Sequence, residues 1–153
     1  MHFKFESDFV EPGIKCIPMN VRFKLDACGI KLKLAEWSAM TVAEREYFFN
    51  ASCTSPDEIS QFRKDLEQLV IDRTGNRVAE IPVDQSPSWS KTDLIPDSIC
   101  DRFAEEGFPI TLHVWQQLTD LQRFALLKLS RPGHESKNFT KAVIEFGLLK
   151  QHS

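Results

Sequence analysis

The sequence contains few of the residues from which catalytic and phosphate-binding motifs are built. Only 6 of its 153 residues are glycine, and no two of them lie close enough together to form a phosphate-binding loop. It also lacks the G-x-S-x-G and H-E-x-x-H sequences that mark serine hydrolases and zinc proteases. We therefore expect a protein that is not an enzyme.

The cysteines do not occur in close pairs. Their positions are Cys16, Cys28, Cys53 and Cys100, without a C-x-x-C sequence. This spacing favours free thiols in a reducing compartment, because a metal site would need ligands from four distant segments. We expect no bound cofactor.

An excess of positive charge is also missing. Lys and Arg number 19 against 22 Asp and Glu, which gives a net charge of -3, and the two signs are interspersed. Phosphate recognition depends on clustered Lys and Arg, so nucleic acid is not an expected partner. No run approaches the ~20 apolar residues that span a bilayer, and the first residues lack the apolar stretch of a secretory signal. We expect no membrane partner and a cytoplasmic location.

Phenylalanine, in contrast, is abundant. Twelve Phe accompany a single Tyr, and hydrophobic residues make up 42% of the chain. This composition favours a core filled by rings that need no hydrogen-bond partner. The length suits one domain, and the helical patterns described next predict a single all-α domain over residues 1–153. An apolar patch formed by these rings would suit a homodimer, and the sequence does not decide between a monomer and a homodimer.

Residues 17–50 align without a gap on residues 95–128. The identical positions carry Ile17, Pro18, Gly29, Leu34, Trp37, Thr41 and Arg45 in the first segment, and Ile95, Pro96, Gly107, Leu112, Trp115, Thr119 and Arg123 in the second. Because Trp, Gly and Pro set local geometry, their coincidence indicates an internal repeat. We predict two helical units, at about 17–74 and 95–148, that share one core.

Helix-start and helix-stop patterns recur in both units. Pro18 and Pro96 suit the first helical position, and Gly29 and Gly107 suit the residue that ends a helix. Three capping boxes predict the starts of further helices, namely Thr41-x-x-Glu44, Ser55-x-x-Glu58 and Thr119-x-x-Gln122. We expect these helices to run to about Asn50, Thr74 and Leu129.

The remaining segments have weaker patterns. Residues 76–94 contain Pro82, Pro87 and Trp89 and predict an irregular link between the units. Phe3 and Phe5 alternate with charged residues, which is consistent with an extended N-terminal segment pinned to the rest of the protein. Arg45 and Arg123 recur at one position of both units, and so do Trp37 and Trp115, so we predict structural roles for all four.

Polar side chains are densest in residues 130–138, the sequence Ser130-Arg131-Pro132-Gly133-His134-Glu135-Ser136-Lys137-Asn138. Such a segment is typical of a solvated loop between helices. Composition alone favours this solvated loop. The alternative is a recognition loop, in which Arg131 and Lys137 bind carboxylates or phosphates. The segment lacks a nucleophile placed against a base, so we predict no catalytic residues. The candidate partner-binding residues are Arg131, His134, Glu135, Lys137 and Asn138, with Trp89 added because exposed Trp is frequent at interface hot spots.

Two long blocks resemble the nitrate reductase-associated proteins of cyanobacteria. The first comprises Cys16-Ile17-Pro18-Met19 and residues 21–32. The second comprises residues 121–132 with His134-Glu135, Lys137-Asn138-Phe139 and residues 145–148. The resemblance extends from Phe3 to Leu148 and includes the polar loop.

This resemblance implies an accessory or maturation factor for assimilatory nitrate reductase, an enzyme with a molybdenum cofactor and an iron–sulfur cluster. The implied partner is that enzyme or its cofactor-loading machinery. The family has no assigned catalytic mechanism, so it supplies no catalytic residues. In an alternative hypothesis, Cys16 and Cys28, with Cys53 or Cys100, carry a metal, an iron–sulfur cluster or the molybdenum cofactor to the same enzyme.

Overall fold

The computed structural model describes residues 2–148, apart from the side chains of His134 and Glu135. Within this range the regular secondary structure is helical except for one two-stranded ladder. The predicted all-α class is therefore confirmed, with this small ladder as an addition. Among residues 2–148, every helix is too short or too polar to span a bilayer.

The chain divides into two compact units. Unit 1 contains His2 and the segment Glu6–Asp84, and unit 2 contains Phe3–Phe5 and the residues from Gln85 onward.

Unit 1 is built from five α-helices and the two strands. The helices are α1 (Ser7–Val10), α2 (Met19–Cys28), α3 (Leu34–Ser38), α4 (Val42–Asn50) and α5 (Pro56–Thr74). Strands β1 (Ile30–Lys31) and β2 (Ala79–Glu80) are antiparallel, with Ile30 opposite Glu80 and Lys31 opposite Ala79. The segment predicted as an irregular link thus contributes a strand to unit 1.

Local sequence explains where these helices begin and end. Helix α2 starts directly after Pro18 and ends at Gly29, whose φ of 77° is left-handed. The Ser55 hydroxyl accepts the Glu58 amide at 3.1 Å, and the Glu58 carboxylate accepts the Ser55 amide at 3.0 Å. This reciprocal pair confirms the predicted capping box at the start of α5. Thr41 and Glu44 form the same box before α4.

The core of unit 1 surrounds Trp37, which is fully buried. Its indole Nε1 donates to the Ile14 carbonyl at 2.8 Å, which satisfies the one polar atom of the side chain. Phe48 of α4 packs edge-on against Phe62 of α5, with 5.3 Å between ring centroids. Other core residues include Val21, Leu25, Ile30, Leu66 and Val70.

Unit 2 contains α6 (Asp97–Glu105), α7 (Leu112–Gln117), α8 (Asp120–Leu129) and α9 (Asn138–Glu145). Short 3₁₀ turns at Ser88–Ser90 and His134–Lys137 precede α6 and α9. Its core includes Ile99, Phe103, Trp115, Phe124, Leu126, Phe139 and Val143. Phe103 of α6 and Phe139 of α9 make the central aromatic contact, at 5.1 Å between centroids.

The N-terminal segment differs from the extended prediction. Residues Lys4–Glu6 form a 3₁₀ turn that leads into α1. Within unit 2, Phe3 lies 5.1 Å from Phe146 between ring centroids, and the Phe5 amide donates to Glu145 Oε1 at 3.1 Å. The segment is thus pinned as expected. Its backbone is helical because two alternating residues are too few to specify a strand.

Corresponding residues of the two units make corresponding contacts. Trp115, like Trp37, is fully buried, and its indole Nε1 donates to a carbonyl, that of Lys91, at 2.8 Å. Gly107 follows α6 with a left-handed φ of 86°, as Gly29 follows α2. These parallels support the internal repeat, which stays a prediction, as does the shared core.

Candidate functional site

The polar loop 130–138 connects α8 to α9 and is held from behind by α6. Arg102 of α6 donates from Nη2 to the Ser136 carbonyl at 2.8 Å and from Nε to Glu106 Oε1 at 3.0 Å. The same guanidinium lies over the Phe139 ring, 4.8 Å from its centroid. Arg102 thus binds the loop through the Ser136 carbonyl, while Glu106 at the end of α6 and Phe139 of α9 hold its guanidinium in place. These contacts fix the position of the loop on unit 2.

The cationic side chains of the loop face solvent. Arg131 and Lys137 are exposed, and neither forms an ion pair with a side chain that the structure describes. Asn138 is half-buried at the first position of α9. His134 and Glu135 belong to the 3₁₀ turn, but their side chains lie outside the described part of the chain. The loop therefore presents two charged donors on a fixed backbone.

A groove lies between this loop and α6. Its volume is about 390 Å³, and its lining comprises Ser98, Asp101, Arg102, Glu105, Ser130, Pro132 and Ser136. The exposed carboxylates of Asp101 and Glu105 place negative charge on the α6 side of the groove. Hydroxyls, carboxylates and nearby cations together suit recognition of a polar protein surface. The side chains that the structure describes along this groove include no nucleophile–base pair.

Comparison with known proteins identifies the family. Residues 2–146 match the family model of the conserved nitrate reductase-associated proteins. The chain belongs to this family. Comparison with curated proteins and with solved structures gives no match. The match covers nearly the whole chain and so includes the polar loop, which confirms the resemblance to nitrate reductase-associated proteins.

Trp89 was a candidate contact on the condition that its side chain is exposed. Its side chain is half-buried and lies edge-on to Phe124 of α8, with 6.4 Å between ring centroids. Its carbonyl accepts Arg123 Nε at 2.7 Å. These contacts give Trp89 a place in the packing of unit 2, beside the first turns of α8 rather than at the loop that follows this helix.

The predicted structural role of Arg45 and Arg123 is confirmed. Arg123 is buried and donates to the Leu118 carbonyl and to Asp120, besides its bond to the Trp89 carbonyl. Arg45 donates from Nε to the Gly13 carbonyl and from Nη1 to the Met40 carbonyl, both at 3.1 Å. Both guanidinium groups thus bind backbone carbonyls next to the helix that carries them.

The cysteines do not come together as a metal centre. No group of three or more His, Cys, Asp or Glu suited to a metal occurs among residues 2–148 with described side chains. Cys16 is half-buried, Cys28 and Cys53 are buried, and Cys100 is exposed. Burial, with a smaller contribution from the neighbouring Cys53, raises the pKa of Cys28 to about 11. A metal that binds Cys28 would have to displace this proton.

Sequence reasoning missed Arg102, the residue that positions the loop. One pattern would have pointed to it, because the alignment of the units places Lys24 opposite Arg102. Lys24 Nζ donates to the Phe48 and Phe49 carbonyls at 3.0 and 2.9 Å, near the end of α4. A basic residue at this position thus binds backbone carbonyls of a later segment in both units.

Proposed function

We propose that this protein is a non-enzymatic accessory factor that binds assimilatory nitrate reductase, or the machinery that loads its cofactors, through loop 130–138. The observation that carries the proposal is the anchored loop: Arg102 holds the Ser136 carbonyl, while Arg131 and Lys137 are exposed. Membership of the nitrate reductase-associated family supports the choice of partner.

The anchoring of the loop by Arg102 favours binding, because a flexible loop would become ordered when it binds a partner. A loop whose backbone is already fixed loses less conformational entropy when it meets a partner. A stable interface of standard size buries about 1,200–2,000 Å², so the loop would form the charged part of a larger contact. Exposed cations of this kind contribute mainly to orientation and association rate. The part of the partner surface that faces Arg131 and Lys137 is therefore acidic, and binding weakens as the salt concentration rises.

The first test measures binding of the purified chain to purified nitrate reductase by isothermal titration calorimetry. The double variant Arg131→Glu with Lys137→Glu reverses both loop cations. We expect its affinity to fall by at least about tenfold, since opposite charges become like charges at the contact. Its circular dichroism spectrum and melting temperature should not change, because both side chains are exposed.

The matched control is Lys15→Glu with Lys91→Glu, which makes the same change in net charge at two exposed positions outside the loop. This control should bind like the original protein. Equal affinity of the loop variant and the control would contradict the loop assignment. Iron or molybdenum at about one atom per chain in the purified protein would instead favour the cysteine-based carrier hypothesis.

A further inference from the structure

The outer edge of β2 in unit 1 has backbone groups that are free to pair. The Ile81 amide donates to the Gly29 carbonyl at 2.9 Å, so residues 29 and 81 are a hydrogen-bonded pair of the antiparallel ladder. Such pairs alternate with non-hydrogen-bonded pairs, and the next pair is Ile30 with Glu80. The N–H and C=O of Glu80 therefore point away from β1. No backbone partner for them occurs among the described residues.

A groove of about 720 Å³ lies beside this edge, between the segment of β2 and α5. Lys64, Glu67 and Ile71 line it from α5, where spacings of three and four place them on one face of the helix. Ile71 has 40% of its surface exposed, and Val78, which precedes β2, is half-buried. These two side chains give the groove an apolar floor next to an unpaired strand edge.

The charges around the groove are not balanced. Arg63 binds the carboxylates of both Glu67, at 3.0 Å, and Glu80, so one guanidinium partly neutralises both acids. Lys64 and Arg77 also line the groove and are exposed. Neither forms an ion pair with a side chain in the described part of the protein. The cations that remain available favour an occupant with negative charge.

We propose that this groove binds an extended acidic segment of a partner protein, which adds a third strand to the edge of β2. Backbone groups of the segment pair with Glu80, a short apolar centre contacts Ile71 and Val78, and flanking carboxylates bind Lys64 and Arg77. Strand addition of this kind combines main-chain hydrogen bonds with side-chain pockets. The groove belongs to unit 1 and the loop to unit 2, so the inference does not rest on the proposed function.

The test titrates the full chain into a fluorescein-labelled heptapeptide, Asp-Glu-Val-Ile-Val-Asp-Glu, and measures fluorescence anisotropy. We expect saturable binding that the variant Lys64→Glu with Arg77→Glu weakens by about tenfold, the effect of two exposed ion pairs. The control Lys15→Glu with Lys91→Glu should bind like the original protein. A peptide with Lys in place of each acidic residue should not bind.

A second arm tests backbone pairing. Two peptides of the same sequence carry N-methyl groups at alternate residues, one at the odd and one at the even positions. Since an added strand donates to β2 through only one of these sets, one peptide should lose binding and the other should keep it.

Three outcomes would overturn the proposal. The first is no saturable binding up to about 1 mM of the titrated protein, a concentration at which weak recognition is still detected. The second is binding that is insensitive to both N-methylation patterns or to charge reversal at Lys64 and Arg77. The third is a concentration-dependent dimer, measured by sedimentation, that the Lys64→Glu and Arg77→Glu changes abolish, because this would assign the groove to a second copy of the chain.

Discussion

At the scale of single residues, Arg123 shows what one buried cation contributes to this fold. Its side chain is 5% exposed and binds the carbonyls of Trp89 and Leu118 as well as the Asp120 carboxylate. A guanidinium meets these acceptors because its donors point in several fixed directions, whereas a lysine ammonium donates from one point. We predict that Arg123→Lys lowers the free energy of unfolding by about 2–3 kcal/mol, since at least one buried carbonyl loses its donor.

The matched variant is Arg45→Lys in unit 1. Arg45 is half-buried and binds two carbonyls, those of Gly13 and Met40, and water can replace part of what the variant loses. Its expected cost is about 1 kcal/mol. Urea unfolding followed by circular dichroism measures both values. An equal decrease in the free energy of unfolding of the two variants would show that the burial of Arg123 does not determine how much it stabilises the fold.

At the scale of elements, α2 and α6 are each followed by a glycine with a left-handed backbone, and the two glycines have different surroundings. Gly29 and Gly107 both have left-handed φ values, of 77° and 86°. A Cβ added at Gly29 would meet the Ile81 carbonyl oxygen and Val83 Cγ2, each at 2.9 Å, whereas a Cβ at Gly107 would meet nothing within 4 Å. The ladder between β1 and β2 thus brings backbone close to Gly29.

Because of these surroundings, we predict that a glycine-to-alanine substitution lowers the free energy of unfolding by different amounts at the two positions. Gly107→Ala should cost about 1 kcal/mol, the strain of a left-handed alanine. Gly29→Ala should cost about 3 kcal/mol or more, because overpacking against the Ile81 carbonyl adds to that strain. Thermal and urea unfolding of the two variants gives the comparison. A Gly29→Ala variant as stable as Gly107→Ala would mean that the β2 segment moves aside without cost.

Sequence reasoning succeeded for elements with local determinants and was less successful elsewhere. The capping boxes at Thr41, Ser55 and Thr119 predicted the starts of α4, α5 and α8, because the bonds of a capping box join residues three apart. The ladder of β1 with β2 was missed, since its two-residue strands pair residues 50 and 48 positions apart, Ile30 with Glu80 and Lys31 with Ala79. Leu34 lies three residues before Trp37, a spacing that places both on one face of a helix, yet Leu34 is 54% exposed. This spacing does not show where the buried part of a helix face ends.

At the scale of the whole molecule, the candidate site was only partly predictable. Arg131 and Lys137 could be chosen from composition, because turn residues and charges mark a solvated loop. The groove beside them depends on α6, whose contact with the loop joins Arg102 to Ser136 across 34 positions of the chain. Short-range patterns do not reveal such a contact. Sequence reasoning also did not show that Trp89 is half-buried beside Phe124, and its partner-binding role stays a prediction.

The sequence also predicts that residues 1–153 form a single domain, and hydrogen exchange tests this prediction. Val70 in α5 and Leu126 in α8 are fully buried in units 1 and 2, respectively, so their amides exchange only when the respective core opens. Units of this size bury a small share of their surface when they stand alone, and we therefore expect one cooperative transition. Both amides should show the same free energy of opening and the same dependence on denaturant, as in global unfolding. Different values for the two amides, each with its own denaturant slope, would show that the units fold independently, and the prediction of one domain would be wrong.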